Sequence, residues 1–526
     1  MTPGALGRAY DVVVVGAGSS GAALAARLTE DEGRTVLLLE TGPDYRSADT
    51  PEELRSIEPG RVQPTVGLAE EHTFTKLEAR RSAVQDPAAY LRGRGVGGSS
   101  AINGMFAIRP TVADFDGWAA AGCAGWSYDE ALPALRALED DLDFGDADHH
   151  GRGGPIPVTR PRREDFSPLD AAADAIAARL GHPWAEDHNA PGTTGASPYA
   201  YNGRDGRRVS TNDGYLEPAR DRANLTIRGG ALVDRVLLTD GPGTPRVTGV
   251  RAIVDGEYVD VAASEVVVCA GAIHSPAILQ RSGIGPSRLL RDLGVRLRAD
   301  LPVGLGLQEH PGIALALDLH EPPDYAGRPQ RGQLCVRFSS GVGEGPDGQD
   351  DLMVAVVGAL GIGLPVAGIA GWVNRVSSTG SVEITTTDPI LEPRVEFDML
   401  STDDDLRRFR VVVDELRAWS REPELRALAG GFTLGADLDP ATELDDRQFR
   451  AFALANVADT VHATSTCTMG TAGEPHVVVD PVGRVVGVEG LRVADASVLP
   501  WTPRANTNLA AIFVGEQVAR LMGAPA

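Results

Sequence analysis

The chain has little of what several large classes of protein depend on. Its 526 residues include only four cysteines, scattered without a CxxC pair, which argues against a disulfide framework. Basic residues are in deficit, with 49 Lys and Arg against 73 Asp and Glu. The resulting formal charge of −24 argues against binding to nucleic acid or to an anionic membrane surface. Because no apolar run has membrane-spanning length and no charged and apolar leader precedes Tyr10, we expect a cytoplasmic protein without membrane insertion.

The histidines and cysteines also predict no metal site. The ten histidines show no ligand spacing, and His149 with His150 precedes a glycine-rich turn, so both are expected to be solvated. Cys269 continues an apolar run and is expected to be a small buried side chain. The acidic segment 140–150 and the glycines after it predict a crossing between domains, and the length predicts two or three domains.

The N-terminus places a strand, a glycine turn and a helix in immediate succession. Residues 12–15 are four valines, typical of a buried parallel strand, and the glycine turn 16–21 leads into helix-forming residues. A second apolar strand, 35–39, ends on Glu40. Such a turn lets a pyrophosphate approach backbone N–H groups at a helix N-terminus, and the carboxylate is placed to accept hydrogen bonds from a ribose. The pattern favours a dinucleotide site over an ordinary glycine-rich turn.

Residues 93–104 contain five glycines, two serines and Asn103 within twelve positions. This composition is typical of a loop that lies against an anionic, planar, polar ligand, not of a hydrophobic core. Continued through Ala107, Pro110 and Asp116, the stretch resembles the first signature of the glucose-methanol-choline (GMC) oxidoreductase family. Residues 271–285 resemble that family's second signature without a departure. The resemblance extends over essentially the whole chain.

The resemblance implies an α/β fold in which a Rossmann-like FAD-binding domain is joined to a substrate domain built on an antiparallel sheet (α+β). The FAD-binding domain would comprise residues 1–154, 224–310 and 458–526, the last part carrying the catalytic residues. The substrate domain would comprise residues 155–223 and 311–457. The alternation of apolar residues at 382 and 384, and at 395 and 397, suits an antiparallel sheet with one solvated face.

A late segment favours FAD over a nicotinamide cofactor. Residues 490–497 read as a strand that ends in Asp495, and a simple NAD domain needs no such return of the chain to its cofactor. Some relatives attach FAD through a histidine just before the asparagine of the first signature, where this chain has Ile102, so a non-covalent flavin is expected. The resemblance places the following residues at the flavin, with Val233 near the adenine: Gly16, Gly18, Ser19, Ser20, Gly21, Glu40, Thr41, Arg94, Val96, Gly97, Gly98, Ser99, Asn103, Gly104, Met105, Phe106, Val233, Ala270, Gly271, Asp495, Ala496, Asn506, Thr507 and Asn508.

Residues 462–470 resemble the family's catalytic segment, His-Pro-x-Gly-Thr-Cys-x-Met-Gly, with departures at Ala463 and Ser465. The match implies that His462 is a general base, whereas a histidine in such a stretch without the family context is more often structural. The second family position holds His or Asn and falls at Asn506. An amide cannot act as a base near pH 7, but it can hold a substrate oxygen as charge develops there. The alternative for Asn506 is a turn or cap residue.

The implied activity is oxidation of a CH–OH group, with the hydroxyl proton passing to His462 and a hydride to flavin N5. Alternatives are a non-redox lyase or light-driven reaction on the same fold and flavin, and a flavin-binding protein without catalysis. The substrate is a small-molecule alcohol of open identity, and the acceptor is oxygen, a quinone or a peptide-derived redox cofactor. Segments 56–63 and 87–92 are candidate lids. Four aromatic residues are candidates for the pocket wall: Trp184, Phe338, Trp372 and Trp501.

Overall fold

The computed structural model describes residues 7–55, 71–321, 332–357 and 367–523. A mostly parallel sheet of seven strands crosses the larger apolar core. Val15 pairs with Leu39 on one side and with Val268 on the other, as expected for adjacent parallel strands. Both faces of the sheet are covered, which explains the unbroken valine and leucine runs. The strands are, in spatial order, Leu225–Arg228, Val36–Leu39, Tyr10–Val15, Glu257–Val268, Val247–Val254 and Ala231–Leu238, with Leu491–Val493 also paired to Glu257–Val268.

Two helices from opposite ends of the chain pack against each other beside this sheet. The helix Ser19–Leu28 contacts Thr507–Leu521, and Ser20 Oγ donates to the carbonyl of Ala511 over 2.6 Å. A Cβ at Gly515 would lie 2.3 Å from the Ser20 carbonyl oxygen, so only glycine permits this approach. The other helices are Glu52–Arg55, Val112–Ala120, Tyr128–Ala137, Pro168–Arg179, Glu217–Ala219, Gly271–Arg281, Ser287–Asp292, Asp403–Arg421, Pro423–Arg426 and Asp446–Asn456.

A second apolar core lies around two further sheets. The antiparallel one has the order Ala429–Leu434, Gly312–Leu319, Gly368–Val373, Leu352–Val357, Leu334–Phe338 and Gly195–Pro198. The mixed one has the order Leu305–Leu307, Gly380–Glu383, Arg394–Glu396, Glu78–Arg80 and Ala88–Ala89. The strands that carry the alternating residues at 382 and 395 pair antiparallel, with Val382 opposite Val395 and both side chains buried. The division into five sequence segments stays a prediction, and Glu78–Arg80, from the first of them, pairs with Arg394–Glu396.

The segment between residues 139 and 160 corrects one expectation. Glu139–Asp141 and Ile156–Val158 form a two-stranded parallel sheet, and the connection between them turns inward at His150. His150 is fully buried instead of solvated, because its ring nitrogens bond to Glu139 Oε1 at 2.6 Å and Asp187 Oδ2 at 2.8 Å. His149 is partly exposed. In the described part of the chain, no helix has the length and apolar character needed to span a bilayer.

Candidate active site

A cavity of about 1430 Å³ is lined by residues of both cores. All but three of the predicted flavin residues line it, together with His462. The three exceptions are Gly21, Val96 and Gly97, and of these Gly97 joins two lining loops by donating its N–H to the Ala17 carbonyl over 2.9 Å. A Cβ at Gly21 would lie 1.9 Å from the carbonyl oxygen of Gly16, so this glycine lets the first helix start directly against the strand. The predicted residues from five parts of the sequence therefore meet at one cavity.

In the first glycine turn, residues 16–21, the backbone is closely packed at Gly16 and open at Gly18. Gly16 has φ +102°, and a Cβ there would lie 2.5 Å from the carbonyl oxygen of Cys269. Gly18 differs, since the nearest atom to a Cβ at this position is Gly98 Cα at 3.8 Å. The ten-residue helix that follows has its N-terminus at the cavity, where the free N–H groups and the helix dipole favour an anion. A pyrophosphate fits this open face.

Two buried carboxylates organise the loops around the cavity. Glu40 accepts the N–H groups of Ala17 at 2.9 Å, Gly42 at 2.9 Å and Gly95 at 3.0 Å. Burial raises the pKa of Glu40, and these three N–H groups oppose the rise. Because a carboxylate offers about four acceptor positions, one is left for a ligand hydroxyl. Glu40 thus holds three glycine-rich loops together and still has capacity for a ribose.

Asp495 plays the same part at the other end of the predicted flavin site. Its carboxylate accepts Gly271 N at 2.8 Å, Ser275 Oγ at 2.5 Å and Ser497 N at 2.8 Å. Burial raises the pKa of Asp495 while these donors lower it. The contacts bind the end of the late strand to the N-terminus of the helix Gly271–Arg281, so both reach the cavity together.

Arg208 is a cavity residue that sequence reasoning missed. Its Nη1 donates to Asn103 Oδ1 over 2.7 Å, and Met105 N donates to the same oxygen over 2.9 Å. Since Oδ1 is doubly occupied, the Asn103 amide has its Nδ2 donor free for a ligand. Burial lowers the pKa of Arg208 to about 9, and the guanidinium forms no ion pair within the described residues. Its location at the end of a short hairpin of mostly charged residues, GRDGRR, gave no signal of burial.

These polar atoms test whether FAD fits the cavity. Arg208 Nε and Asn508 Nδ2 are both buried and lack a hydrogen-bond partner among the residues that the structure describes. Asn508 Oδ1 accepts from Ser19 Oγ over 3.1 Å, which turns the amide nitrogen of Asn508 away from that hydroxyl. Buried donors without partners are costly, and an anionic, polar ligand supplies what they lack. The donor set, the open face at Gly18 and the size of the cavity all fit FAD.

His462 lies at the cavity wall in a group of close polar contacts. Its Nδ1 is 2.8 Å from Thr460 Oγ1 and 3.0 Å from His310 Nδ1, and its Nε2 is 3.4 Å from Asn506 Nδ2. Its backbone N–H donates to Glu309 Oε2 over 2.5 Å. We call His310, His462 and Glu309 the cavity cluster. Desolvation, with the nearby His310 and Arg92, lowers the pKa of His462 well below its usual value, so the imidazole is neutral at neutral pH.

The carboxylate of this cluster is fully occupied. Glu309 accepts the N–H groups of His310 and His462, the hydroxyl of Thr460 at 3.0 Å and the hydroxyl of Tyr90 at 2.6 Å. Burial and the neighbouring charge of Asp459 raise its pKa to about 7. Sequence reasoning missed His310 and Glu309. The available signal was the polar run Gln308-Glu309-His310 inside an otherwise apolar stretch.

The backbone on either side of His462 is strained. Val461 has φ +59° and Ser465 has φ +70°, both in the left-handed region that favours glycine. Ser465 stands where the family's segment has glycine, and the structure gives the reason for that glycine. Ser465 thus adopts a backbone conformation that glycine would adopt without strain. The segment is held in this shape by hydrogen bonds, such as that from the Ala463 N–H to Tyr90 Oη at 3.2 Å.

The predicted pocket aromatics and predicted lids agree only in part with the cavity lining. Of the four predicted pocket aromatics, Trp372 lines the cavity, whereas Trp184, Phe338 and Trp501 do not. Of the two predicted lids, residues 88–92 line the cavity, and segment 56–63 lies outside the described residues.

Comparison with known proteins gives a consistent result. The chain is 35% identical over 536 residues to 5-(hydroxymethyl)furfural oxidase of Methylovorus sp. (strain MP688), a match that covers 97% of this chain and 98% of that protein. It is 35% identical over 555 residues to the oxygen-dependent choline dehydrogenase of Pseudomonas fluorescens (strain Pf0-1), covering 97% and 93%. The solved structure of pyridoxine 4-oxidase from Mesorbium loti matches with a TM-score of 0.86 at 30% identity, covering 98% of this chain and 100% of that chain.

Family profiles agree with these relatives. Residues 10–312 and residues 376–515 match two sequence profiles, and both profiles are described as GMC oxidoreductase. The first profile ends directly after Glu309 and His310, and the second includes His462 and Asn506. The profiles thus span the glycine turns, both carboxylates that organise the cavity, and the histidine at its wall. The chain belongs to the GMC oxidoreductase family.

Proposed function

We propose that this protein oxidises the CH–OH group of a small alcohol, with His462 as the base and Asn506 as the residue that holds the substrate oxygen. The observation that carries the proposal is the pair formed by His462 Nε2 and Asn506 Nδ2, which lie 3.4 Å apart at the cavity wall. A nitrogen lone pair and an N–H donor side by side are the two groups that an alcohol oxygen needs while it loses its proton.

The chain's own residues account for the proton. The hydroxyl O–H bond breaks and a bond to His462 Nε2 forms, which raises electron density at the carbinol carbon and eases departure of its hydride. Asn506 Nδ2 donates to the oxygen as negative charge develops there. Tyr199 Oη donates to Asn506 Oδ1 over 3.1 Å and so keeps the amide nitrogen turned towards His462. FAD, when bound, supplies the hydride acceptor.

The flavin is proposed to be bound without a covalent link. Ile102 lies at the cavity wall in the position where some relatives carry a histidine, and it has no nucleophilic atom. Denaturation with acid should release intact FAD into the supernatant. Flavin that stays with the precipitated polypeptide would contradict the proposal.

For the substrate, a neutral alcohol is favoured over a quaternary ammonium alcohol. The carboxylates nearest His462 are already occupied, Glu309 by four donors and Asp459 by Arg81 at 2.6 Å. For the acceptor, oxygen is favoured over a quinone or a peptide-derived cofactor, because the names of two relatives describe an oxidase and an oxygen-dependent enzyme. The five-segment domain division is retained as part of the proposal.

The test is anaerobic addition of a panel of alcohols to the purified yellow protein, followed by air. Bleaching of the flavin absorbance by a neutral alcohol, with recovery and peroxide in air, is the expected result. Bleaching without recovery in air would overturn oxygen as the acceptor and leave the alcohol oxidation standing. No bleaching by any alcohol, together with product formation in the light or without redox change, would favour the lyase or light-driven alternative.

A further inference from the structure

We infer that His310 is a positioning residue: through a directed chain of hydrogen bonds that begins at the carbonyl of Pro503, it fixes the proton of His462 on Nδ1 and leaves Nε2 free as the base. This inference rests on the proposed function for its consequence, but the geometry that carries it is independent of the substrate.

The chain of hydrogen bonds starts at a group whose role is unambiguous. The Pro503 carbonyl oxygen can only accept, and it lies 2.9 Å from His310 Nε2, so Nε2 must carry the proton. His310 is completely buried, and burial lowers its pKa to about 4, so the ring is neutral and carries one proton in total. Its Nδ1 is therefore a bare acceptor.

The next link transfers this assignment to His462. His310 Nδ1 and His462 Nδ1 lie 3.0 Å apart, and two bare nitrogens repel at that distance, so the proton between them belongs to His462. The contacts of Thr460 agree with this assignment. Its hydroxyl proton is directed to Glu309 Oε1 at 3.0 Å, which leaves its oxygen, 2.8 Å from His462 Nδ1, as an acceptor. Both neighbours of His462 Nδ1 accept, so Nδ1 donates.

The last link reaches the cavity. With its single proton on Nδ1, neutral His462 presents a lone pair at Nε2 towards Asn506 and the open space. Asn506 must then turn Nδ2 to this lone pair and Oδ1 to Tyr199, which is the orientation that the Tyr199 hydroxyl bond requires. The Pro503 carbonyl sets this arrangement, and the hydrogen bond from the Tyr199 hydroxyl to Asn506 Oδ1 agrees with it. In the opposite tautomer His462 Nε2 carries a proton and cannot take one from an alcohol.

The first measurement reads the tautomer in the parent holoenzyme, and a variant is used only to assign the signals. Selective ¹⁵N labelling of histidine, with the His462 signals identified by their absence in His462→Ala, reports which nitrogen is protonated. We expect a protonated Nδ1 and an unprotonated Nε2. The reverse pattern, or an even mixture of both tautomers, would overturn the inference whatever the enzyme does with alcohols.

The second measurement separates positioning from packing. In His310→Asn the side-chain oxygen stands where Nδ1 stood and still accepts, whereas His310→Leu removes the acceptor. We expect His310→Leu to slow anaerobic flavin reduction by on the order of 10²-fold, below the about 10⁴-fold that a triad histidine loses with its orienting carboxylate. Substrate Kd should stay within about two-fold in both variants, and His310→Asn should recover most of the rate.

The control for packing is His188→Leu, another fully buried histidine outside the cavity wall. It should lower the unfolding temperature without slowing flavin reduction. A His310→Asn variant no faster than His310→Leu, or a His310→Leu variant as fast as the parent, would overturn positioning. If His462→Ala also reduces the flavin at the parent rate, the proposed base itself is wrong, which is a distinguishable failure.

Discussion

Two groups of histidine and carboxylate residues in this protein look alike and differ in what they can do. The cavity cluster brings Glu309, His310 and His462 within 4.8 Å of one another. A second group, which we call the charge cluster, comprises Glu139, Asp141, His150 and Asp187 with two arginines, Arg109 and Arg160. Glu139, Asp141 and His150 are equally close to one another, and Asp187 lies as close to His150. The residue types and the burial are similar, so the difference lies in the cations.

In the charge cluster every charge has a partner. Arg109 lies 2.5 Å from Glu139, and Arg160 lies 3.0 Å from Asp141 and 2.7 Å from Asp187. Burial would lower the pKa of His150, but hydrogen bonds to Asp187 and Glu139 outweigh it and raise the pKa. Three carboxylates are thus bonded to two guanidiniums and to an imidazole whose pKa is raised. Such a group joins chain segments, and none of its members lines the cavity.

In the cavity cluster the histidines are kept neutral and one lone pair is left over. No arginine bonds directly to Glu309 within the described residues, and its four donors are neutral. The strained residues Val461 and Ser465 also flank this cluster, whereas within the described residues all non-glycine positions of the charge cluster have negative φ. Unbalanced charge, strain and an open side distinguish a reactive site from a structural one.

The largest effect is expected when His462 is removed, because this tests whether the cavity cluster is catalytic. His462→Ala should keep its FAD and slow anaerobic flavin reduction by about 10²–10⁴-fold, the usual contribution of a positioned base. The measurement is stopped-flow absorbance with a saturating alcohol. Reduction at the parent rate would assign the base elsewhere and leave His462 with a structural role.

Removing His150 should produce the opposite pattern. His150→Ala removes one hydrogen-bond partner from each of two buried carboxylates, Glu139 and Asp187, which keep their arginines, and should lower the free energy of unfolding by about 1–3 kcal/mol. Denaturant titration measures this loss, while flavin reduction in the folded fraction should stay near the parent rate. A His150→Ala protein that is as stable as the parent but reduces its flavin slowly would contradict a structural role for the charge cluster.

The two clusters should also respond to pH with opposite sign. The folded pKa of His310, about 4, lies below its unfolded value near 6.5, so its contribution to stability is lost as pH falls from 6.5 towards 4. The loss amounts to about 3 kcal/mol. The folded pKa of His150 is raised, so its contribution is present below pH 6.5 and is lost as pH rises through the folded value. Unfolding curves of the parent, His310→Asn and His150→Gln across this range check both signs.

The smallest expected effect concerns the backbone strain at Ser465 and its contribution to the free energy of unfolding. Ser465→Gly should raise the free energy of unfolding by up to about 1 kcal/mol, because glycine adopts φ +70° without penalty. The neighbouring Thr464→Gly, at a position with ordinary φ, should lower stability by at least about 0.5 kcal/mol. Equal effects of the two variants would show that Ser465 is not strained. Both are measured by chemical denaturation.

Sequence patterns predicted those parts of the fold and site that have a recognisable local signature. The valine run, the turn 16–21 and Glu40 were predicted because a parallel strand, a glycine turn and a strand-end carboxylate each have a local signature. The role of His310 has no such signature, since it depends on a carbonyl 193 residues away. The burial of His150 was mispredicted for the same reason, because Asp187 reaches it from 37 residues along the chain.

The contact between Ser19 and Asn508 joins positions 489 residues apart, with the helix Thr507–Leu521 behind it. On a ribosome adding about 5–20 residues per second, the first glycine turn waits roughly 25 to 100 seconds before its far wall has been made. For most of that interval the nascent chain presents the predicted phosphate-binding turn without Asp495 and without His462. Cofactor capture is therefore among the last events of biosynthesis, and supply of flavin during growth should decide how much of the newly made protein leaves the ribosome loaded.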